Sequence, residues 1–568
     1  MLYTLATAVL TLAGAGLVVL VAGLKKNYSI AKSSGFKCVL LPTHMTSVPW
    51  LVAGSVFLPL LDLLPGERKS QWMPLLLLDH IWHSGHKPFA ITGADTLIAV
   101  APSQNTLFTC DPKLITQLLR DPAFGKPTAM LDLLNLFGPT MTGTDGPETR
   151  LYRKVTAPYF NNTTMESVFR ESVEATSSFI EVVTSQFSLL DTELRPMLSK
   201  LALHILGKCG FGKTGSCLDE LQFSEETSKG HELSFADTFL GIDQDLALIA
   251  LTPPFILNNS PLAVHKRGRL LRNEMKKYLS DAVEQKRSAS DRESEKPKNL
   301  LDLLVDAKDR DGLLSDEQIK GNIFIMNFAG HESNAHALQF VLLNLACQPD
   351  MQRKVQRDID RIFGSLAPQQ WSYTEHYTAL SQSMVGAVIN ESLRVYTVLP
   401  IFMKHTTDRP VPVKLNGRDH IIPPNTLIMI NTSATHRNPA YWSTPTGTAN
   451  EGSPYAVSSF RPERWFTSNG KFLVPELGSY IPFSDGPRGC LGQRFAMVEL
   501  CVSLALILKS HSIELVVPGS GDSSGMSENS HGFEKAKDHA VHQLSGGIMY
   551  NMTLRLGDKI PVRFSKRN

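Results

Sequence analysis

Cysteine is scarce in this chain: Cys38, Cys110, Cys209, Cys217, Cys347, Cys490 and Cys501 are the only seven in 568 residues. The count is odd and no C-x-x-C pair occurs, which excludes an ordinary disulfide framework and zinc-type spacing. Such usage suits a chain whose bulk faces a reducing compartment. Several N-x-S/T triplets, Asn161 and Asn431 among them, would then carry no sugar. Net charge is equally sparse at +2, and no dense Lys/Arg block is present. The electrostatic footprint of a nucleic-acid binder is therefore missing. No internal repeat is visible either. What the chain has is apolar mass: 42% of its residues are hydrophobic, so a large core is within reach.

Residues 1–24 carry no charged side chain, and Lys25 and Lys26 follow them. At about 1.5 Å per residue such a run can cross a hydrocarbon layer about 30 Å thick. Its length, the missing basic leader and the trailing lysines favour a retained transmembrane anchor over a cleaved signal, with the remainder on the cytosolic side. The expected division is an anchor over 1–24, a linker and membrane-interface segment over 25–65, and one catalytic domain over 66–568. The second apolar run, Trp50 to Pro65, is interrupted by Pro59 and Asp62 and reads as interfacial or buried.

Residues 96–111 read as two short strands around a Pro-Ser turn. From about 112 to 400 the pattern is mainly helical, as in the apolar run 198–212 that ends in glycine. The charged stretch 284–299 reads as a solvated connection, and 518–532 as a polar loop. Ser315 and Gln318 fit a capping box that opens a helix of about 30 residues, apolar on most faces and ending near Cys347. Strand-like segments gather after residue 400. The expected fold is mainly α with a smaller, segregated β part, an α+β arrangement.

Four short stretches carry the chemistry. "AGHES" (329–333) places an acid and an alcohol in the middle of the long helix. "ESLR" puts Glu391 and Arg394 on one helix face, which alone is an ion pair worth tenths of a kcal/mol. "FRPERW" (460–465) supplies Arg464 as a third member. "FSDGPRGCLG" (483–492) sets one cysteine in a glycine-rich loop. In this order and spacing they resemble the cytochrome P450 family of haem-thiolate monooxygenases, and beyond them "LFTCDPKLITQLLRDP", "RKVTAPYF", "HRNPAYW" and the ending "MTLRLGDKIPVRF" resemble its membrane-bound fungal branch. The last of the four matches F-x-x-G-x-R-x-C-x-G at Phe483, Gly486, Arg488, Cys490 and Gly492, and the likeness extends over the chain from about residue 90.

The resemblance implies a P450 fold, with the long helix over a haem b whose iron is held by the Cys490 thiolate. Such a sulfur favours O–O cleavage; cytochromes P450 are the standing example of this ligation. Backbone N–H groups and the helix N-terminus after Leu491 would stabilise its charge. Gly486 and Gly492 fit positions of positive φ or close approach to the porphyrin. The resemblance further implies that Phe483 packs beside the sulfur. Arg488, Arg153 and Lys404 would pair with propionates, a structural triad would form from Glu391, Arg394 and Arg464, and Glu332 with Ser333 would deliver protons. Thr149 stands where the family has tryptophan, and Ser333 and Asn334 where threonines are usual. The expected reaction inserts one oxygen atom from O2 into a lipophilic small molecule, such as a terpenoid, polyketide or alkaloid of fungal secondary metabolism. NADPH would supply electrons through a P450 reductase at the endoplasmic reticulum membrane, with one span and the catalytic domain facing the cytosol. Residues 124–138, Ile325, Met326 and 398–402 are candidate pocket lining. Two other readings are a haem-thiolate isomerase or dehydratase without a reductase, and a non-catalytic membrane haem protein.

Overall fold

The computed structural model describes residues 2–47, 50, 63, 65–186, 194–212, 230–288, 299–442, 459–517 and 531–567, with the side chains of residues 1–13, 186 and 551 outside that set. Helices dominate, and the strands gather into one large sheet and three ribbons. In chain order the strands are β1 Lys37–Leu40, β2 Thr96–Val100, β3 Asn105–Thr109, β4 Phe124–Gly125, β5 Ile401–Thr406, β6 Val411–Leu415, β7 Arg418–Ile422, β8 Leu427–Asn431, β9 His511–Leu515, β10 Ile548–Asn551, β11 Thr553–Leu556 and β12 Val562–Lys566. The six-stranded sheet runs β1-β2-β3-β8-β5-β4, so strands from residues 37–125 pair with strands from 401–431. The expected hairpin over 96–111 is β2–β3, antiparallel with Thr96 opposite Thr109. Paired with it, β8 runs parallel to β3 and carries an all-apolar run, Leu427 to Ile430, that is buried throughout. Burial on both faces explains why no alternation marks it.

The long helix spans Asp316–Ala346 and opens on the expected box. Ser315 Oγ accepts from the Gln318 N–H at 3.2 Å, and Gln318 Oε1 accepts from the Ser315 N–H at 2.9 Å. Cys347 caps its far end. This central helix packs against helices Leu194–Phe211, Met384–Val395 and Gln493–Ser510, and all four are rich in buried apolar side chains. A helix apolar on nearly every face needs neighbours on nearly every side, which places it at the middle of the bundle.

Several boundaries differ from the sequence expectations. The N-terminal helix runs from Leu2 to Ser33 rather than stopping at 24. Its last turns are docked: Asn27 Nδ2 donates to the carbonyls of Ala101 (2.8 Å) and Pro102 (3.1 Å), and Ala31 is fully buried. No helix among the described residues is long and apolar enough to cross a membrane, so the expected span is not shown. Most of that expectation rests on side chains 1–13, which lie outside the described residues. Of the apolar run Trp50–Pro65, residues 51–62 and 64 also lie outside them. The charged connection begins later than expected, because helix Ala263–Ser288 continues to 288 and buries Leu279 and Val283 on one face; residues 289–298 lie outside the described set. The polar loop ends earlier, at 530, because His531 opens a helix to Gly546. That helix buries Phe533, Ala536, Ala540 and Leu544, a helical spacing.

Candidate functional site

The cysteine loop is a folded object. Gly486–Arg488 forms one 3-10 turn, the Gly489 N–H donates to Gly486 O (3.0 Å), and the Cys490 N–H donates to Phe483 O (2.9 Å). Gly486 sits at φ +69°, and a Cβ there would lie 2.6 Å from Leu119 O. Glycine is thus required by the backbone at this turn and by the neighbouring helix Pro112–Arg120. Gly492 departs from the expectation of positive φ. It takes φ −81° as N-cap of helix Gln493–Ser510, and the nearest atom to its would-be Cβ is Cys490 Sγ at 3.9 Å. A Cβ there would meet the sulfur only at ordinary contact distance. Phe483 is half-buried and packs on the main apolar core.

Cys490 is enclosed by protein on most sides, yet its side chain is not covered. Both descriptions hold for a sulfur that faces an interior cleft, and the enclosure is what governs its titration. Burial pushes the thiol up, while N–H groups of Gly492 and Gln493 and the charge of Arg153 act in the opposite direction. The chain thus supplies thiolate-stabilising groups, but on their own they do not overcome burial; a cation at the sulfur would.

Four cations converge beside this loop. Arg488 donates to Met141 O (3.2 Å) and Thr144 O (2.9 Å) and lies 3.5 Å from Asp145. Lys404, on β5 and 5% exposed, donates to Phe124 O at 3.0 Å. Arg153 lies on helix Gly146–Thr156. The fourth, Lys126, was not singled out from the sequence, where nothing marks a lone lysine after a strand. Burial, then the charges of Arg488 and Lys404, push its amine down to about 7, and Asp145 only partly compensates. Like Cys490, Lys126 is enclosed but borders accessible space. Among the described residues whose charges act on Lys126, three are cations and one is an anion. A cluster so unbalanced suits a multiply anionic guest. Thr149 is buried, and its hydroxyl is engaged with Thr144 Oγ1 at 3.0 Å, inside the loop rather than toward a guest.

A pH dependence follows. A lysine whose folded pKa is depressed binds fewer protons folded than unfolded between about 7 and its ordinary 10.5, so stability rises with pH across that window. Haem-free protein should therefore gain stability as the pH is raised from 7 toward 10. Lys126→Met should flatten that rise in a denaturation series and speed haem loss from the loaded protein.

The loop 139–145 ties these cations to the central helix, because Asn322 Oδ1 accepts from the Met141 N–H at 3.0 Å. From Gly321 to Ala346, all described, only Met326, Ala329, Gly330 and Ser333 escape full burial. Those positions, at i, i+3, i+4 and i+7, form one stripe. Phe324, Phe328, Phe137 and Phe239 pack on the opposite, buried face of the helix, with Phe137 and Phe324 ring centres 4.6 Å apart. Ser333 is on the accessible stripe, its hydroxyl donating to Ala329 O (2.8 Å). Glu332 is 3% exposed and on a different face, where its Oε1 accepts from Thr553 Oγ1 (2.8 Å). The structure therefore does not bring the expected acid–alcohol pair face to face. Asn334 Nδ2 donates to Glu499 Oε2 (2.7 Å), fastening the central helix to Gln493–Ser510.

The structural triad is assembled. Arg394 makes two bonds of 2.8 Å to the Glu391 carboxylate, and Arg464 Nε adds a third of 2.8 Å. The Arg461 N–H (2.8 Å) and Trp465 Nε1 (3.1 Å) complete the set. The tryptophan's role was not read from "FRPERW", although the residue stands in it. Burial alone would raise the Glu391 carboxyl; Arg394 and Arg464 reverse that and hold it low.

A sulfur for iron, backed by cations for two propionates, fits a haem, and the site defines a haem-thiolate protein. Comparison with known proteins gives the same answer. The Cytochrome P450 family model matches residues 76–531. Cytochrome P450 monooxygenase 124 of Postia placenta is 24% identical over 445 residues, covering 77% of this chain and 81% of the relative. Cytochrome P450 monooxygenase ORF6 of Penicillium roqueforti is 23% identical over 527 residues, 85% of this chain and 87% of its own. Cytochrome P450 3A13 of Mus musculus reaches 32% over 243 residues, 42% of this chain and 44% of its own. The chain belongs to the cytochrome P450 family and is a monooxygenase of that family, an oxidoreductase.

Proposed function

We propose that this enzyme inserts one oxygen atom from O2 into a lipophilic small molecule, drawing electrons from NADPH through a P450 reductase, with haem b as its cofactor. The carrying observation is the Cys490 loop with Arg488, Lys404, Arg153 and Lys126 gathered beside it, while the central helix escapes full burial between 321 and 346 only at Met326, Ala329, Gly330 and Ser333. A thiol set among cations in an otherwise apolar protein suits a flat, dianionic group, and an apolar guest beside it. Haem, when bound, supplies oxygen activation and one-electron chemistry. The chain's own residues do the rest. Cys490 would hold the iron, Arg153, Lys404, Arg488 and Lys126 the propionates, and Ser333 offers a hydroxyl beside the reacting space. Fungal relatives are consistent with a secondary-metabolite substrate of the terpenoid, polyketide or alkaloid kind.

Attachment to the endoplasmic reticulum membrane through the N-terminal helix, with the catalytic domain in the cytosol, belongs to the same proposal. Supporting it, Leu17, Val18, Val19, Leu20 and Val21 are all more than half exposed, an apolar surface that water disfavours. The division into an anchor over 1–24, a linker over 25–65 and a catalytic domain from 66 is likewise proposed.

The test uses isotopically labelled O2 and a panel of lipophilic substrates. Product should carry one labelled oxygen and should form only with NADPH and reductase. Product formed without either would instead favour an isomerase or dehydratase, a reading consistent with the Ser333 hydroxyl being tied to a backbone carbonyl rather than to an acid.

A further inference from the structure

The buried face of the central helix carries a second set of polar groups, drawn from four elements. Asp243 comes from helix Phe235–Leu251, Arg195 from helix Leu194–Phe211 and Thr553 from β11. Glu332 comes from the central helix itself, with His331 next to it and His336 one turn on. Asp243 is hydrogen-bonded to Glu332 and also accepts from Arg195 Nη2 at 3.1 Å. Glu332 Oε1 accepts from Thr553 Oγ1 at 2.8 Å.

Ionised carboxylates have no donor, so two of them in hydrogen-bond contact must share a proton. Arg195 pairs with Asp243 alone among the two, which leaves the charge on Asp243 and the proton on Glu332. The bond from Thr553 agrees: one Glu332 oxygen accepts while the other is free to donate. His336 Nδ1 lies 3.8 Å from Glu332 and 3.3 Å from Thr553 Oγ1. That ring is fully buried, and burial first, then the charges of Arg195 and Arg555, keep it neutral. His331 gives Nδ1 to Asn327 O at 2.7 Å and is also held neutral, chiefly by burial. Neither ring competes for the proton. The set is graded in exposure: the Arg195 side chain keeps 27%, Asp243 4% and Glu332 3%.

We infer that Asp243, fixed by Arg195, is a positioning residue that keeps a proton on Glu332 at the centre of the helix and restores it from the solvent side. Glu332 is the neighbour of Ser333, which stands on the accessible stripe. When the Glu332 O–H turns from Asp243 and gives its proton to a water beside the Ser333 stripe, it leaves a carboxylate, and that water passes its own proton on to the reacting space. The carboxylate is reprotonated through Asp243 from water at the Arg195 end, so the net change is uptake of one solvent proton for each one delivered. Burial first, and the Asp243 charge second, push Glu332 up to about 8, so the acid form prevails at neutral pH. The inference rests on the monooxygenase reading, since oxygen insertion consumes protons.

Infrared difference spectroscopy of the resting protein tests it without turnover. A protonated carboxyl band should be present at pH 7, absent in Glu332→Gln, and titrate away near pH 8. In Asp243→Asn the same band should titrate at lower pH, because the neighbouring charge is gone. In turnover, Asp243→Asn should lower product formed per NADPH by about 10-fold, as outer partners of reactive groups do, and move the basic limb of the pH profile downward. Asp243→Glu should restore both. Glu332→Gln keeps a donor toward Asp243, so a purely structural bond would leave it near wild type; proton delivery predicts a loss of about 10²-fold in coupling. An unchanged band titration and unchanged coupling in Asp243→Asn, with a normal carbon monoxide spectrum, would overturn the inference. Wild-type protein that oxygenates nothing would overturn the monooxygenase reading instead, and the infrared titration would still decide the proton's position.

Discussion

Cys490→Ser should abolish the red-shifted Soret band that a thiolate-ligated haem gives on reduction in carbon monoxide, and turnover with it. The loop's fold does not depend on the sulfur. Its turn is held by backbone bonds from Gly489 to Gly486 and from Cys490 to Phe483, and by the Arg120–Asp485 pair at 2.9 Å. Serine keeps those bonds, so the variant should fold. Its hydroxyl lacks the electron donation of a thiolate. Changes to partners outside the ligand shell cost about 10–100-fold, and removal of the ligand atom itself should exceed that. Haem content, the carbon monoxide spectrum and product formation check it together. A variant that kept the red-shifted band would show that another group ligates iron.

Glu391→Ala should be the most damaging single change to stability. The carboxylate is fully buried and collects Arg394, Arg464, the Arg461 N–H and Trp465 Nε1. Arg394 is itself 0% exposed. Truncation leaves two guanidinium groups without their shared counter-charge. Breaking a buried pair from one side costs about 3–5 kcal/mol, a large part of the roughly 5–15 kcal/mol that holds a protein folded. Little haem-loaded protein should be recovered, and denaturant midpoints should fall steeply. Replacing Glu391, Arg394 and Arg464 together by apolar residues should be milder than the single change, because no charge is stranded. Equal loss in both would assign the triad's importance to shape rather than to charge.

The parts of this site that were legible in the sequence are those written in short stretches. Phe483 to Gly492 fold on themselves, and Glu391 with Arg394 meet within one helical turn, so spacing alone brings them together. Asp243, Arg195, Lys126 and Thr553 were not legible, since each is a lone polar residue delivered by packing of distant elements. Glu332 and Ser333 show a subtler limit. Adjacent letters in a helix point about 100° apart, so a motif read as one pair became two faces with different neighbours. Of the two glycines expected for positive φ or close approach, Gly486 takes the positive φ, while Gly492 stands at ordinary φ beside the sulfur. Among the fold's elements, the β2–β3 hairpin and the capped central helix were readable. The helix His531–Gly546 was not, because it follows a polar stretch and its buried positions are two alanines, a glutamine and only two larger apolar residues, Phe533 and Leu544.

The docking of the N-terminal helix has a mechanical consequence. Its backbone is continuous from Leu2 to Ser33, and Asn27 clamps it to the turn after β2. At Gly23 a side chain would come within 2.4 Å of Pro102 O, so the fit there admits no methyl group. A further bond runs from Asn105 Nδ2 to Asn27 O at 3.0 Å. Such a helix is a lever with no hinge at its root. Whatever captures its exposed end, about 30 Å of rod for 20 residues, sets the attitude of the large sheet and of everything built on it. The catalytic body would not swing freely on a tether; it would be held at one angle, and any force on the rod would be felt first in β2 and β3.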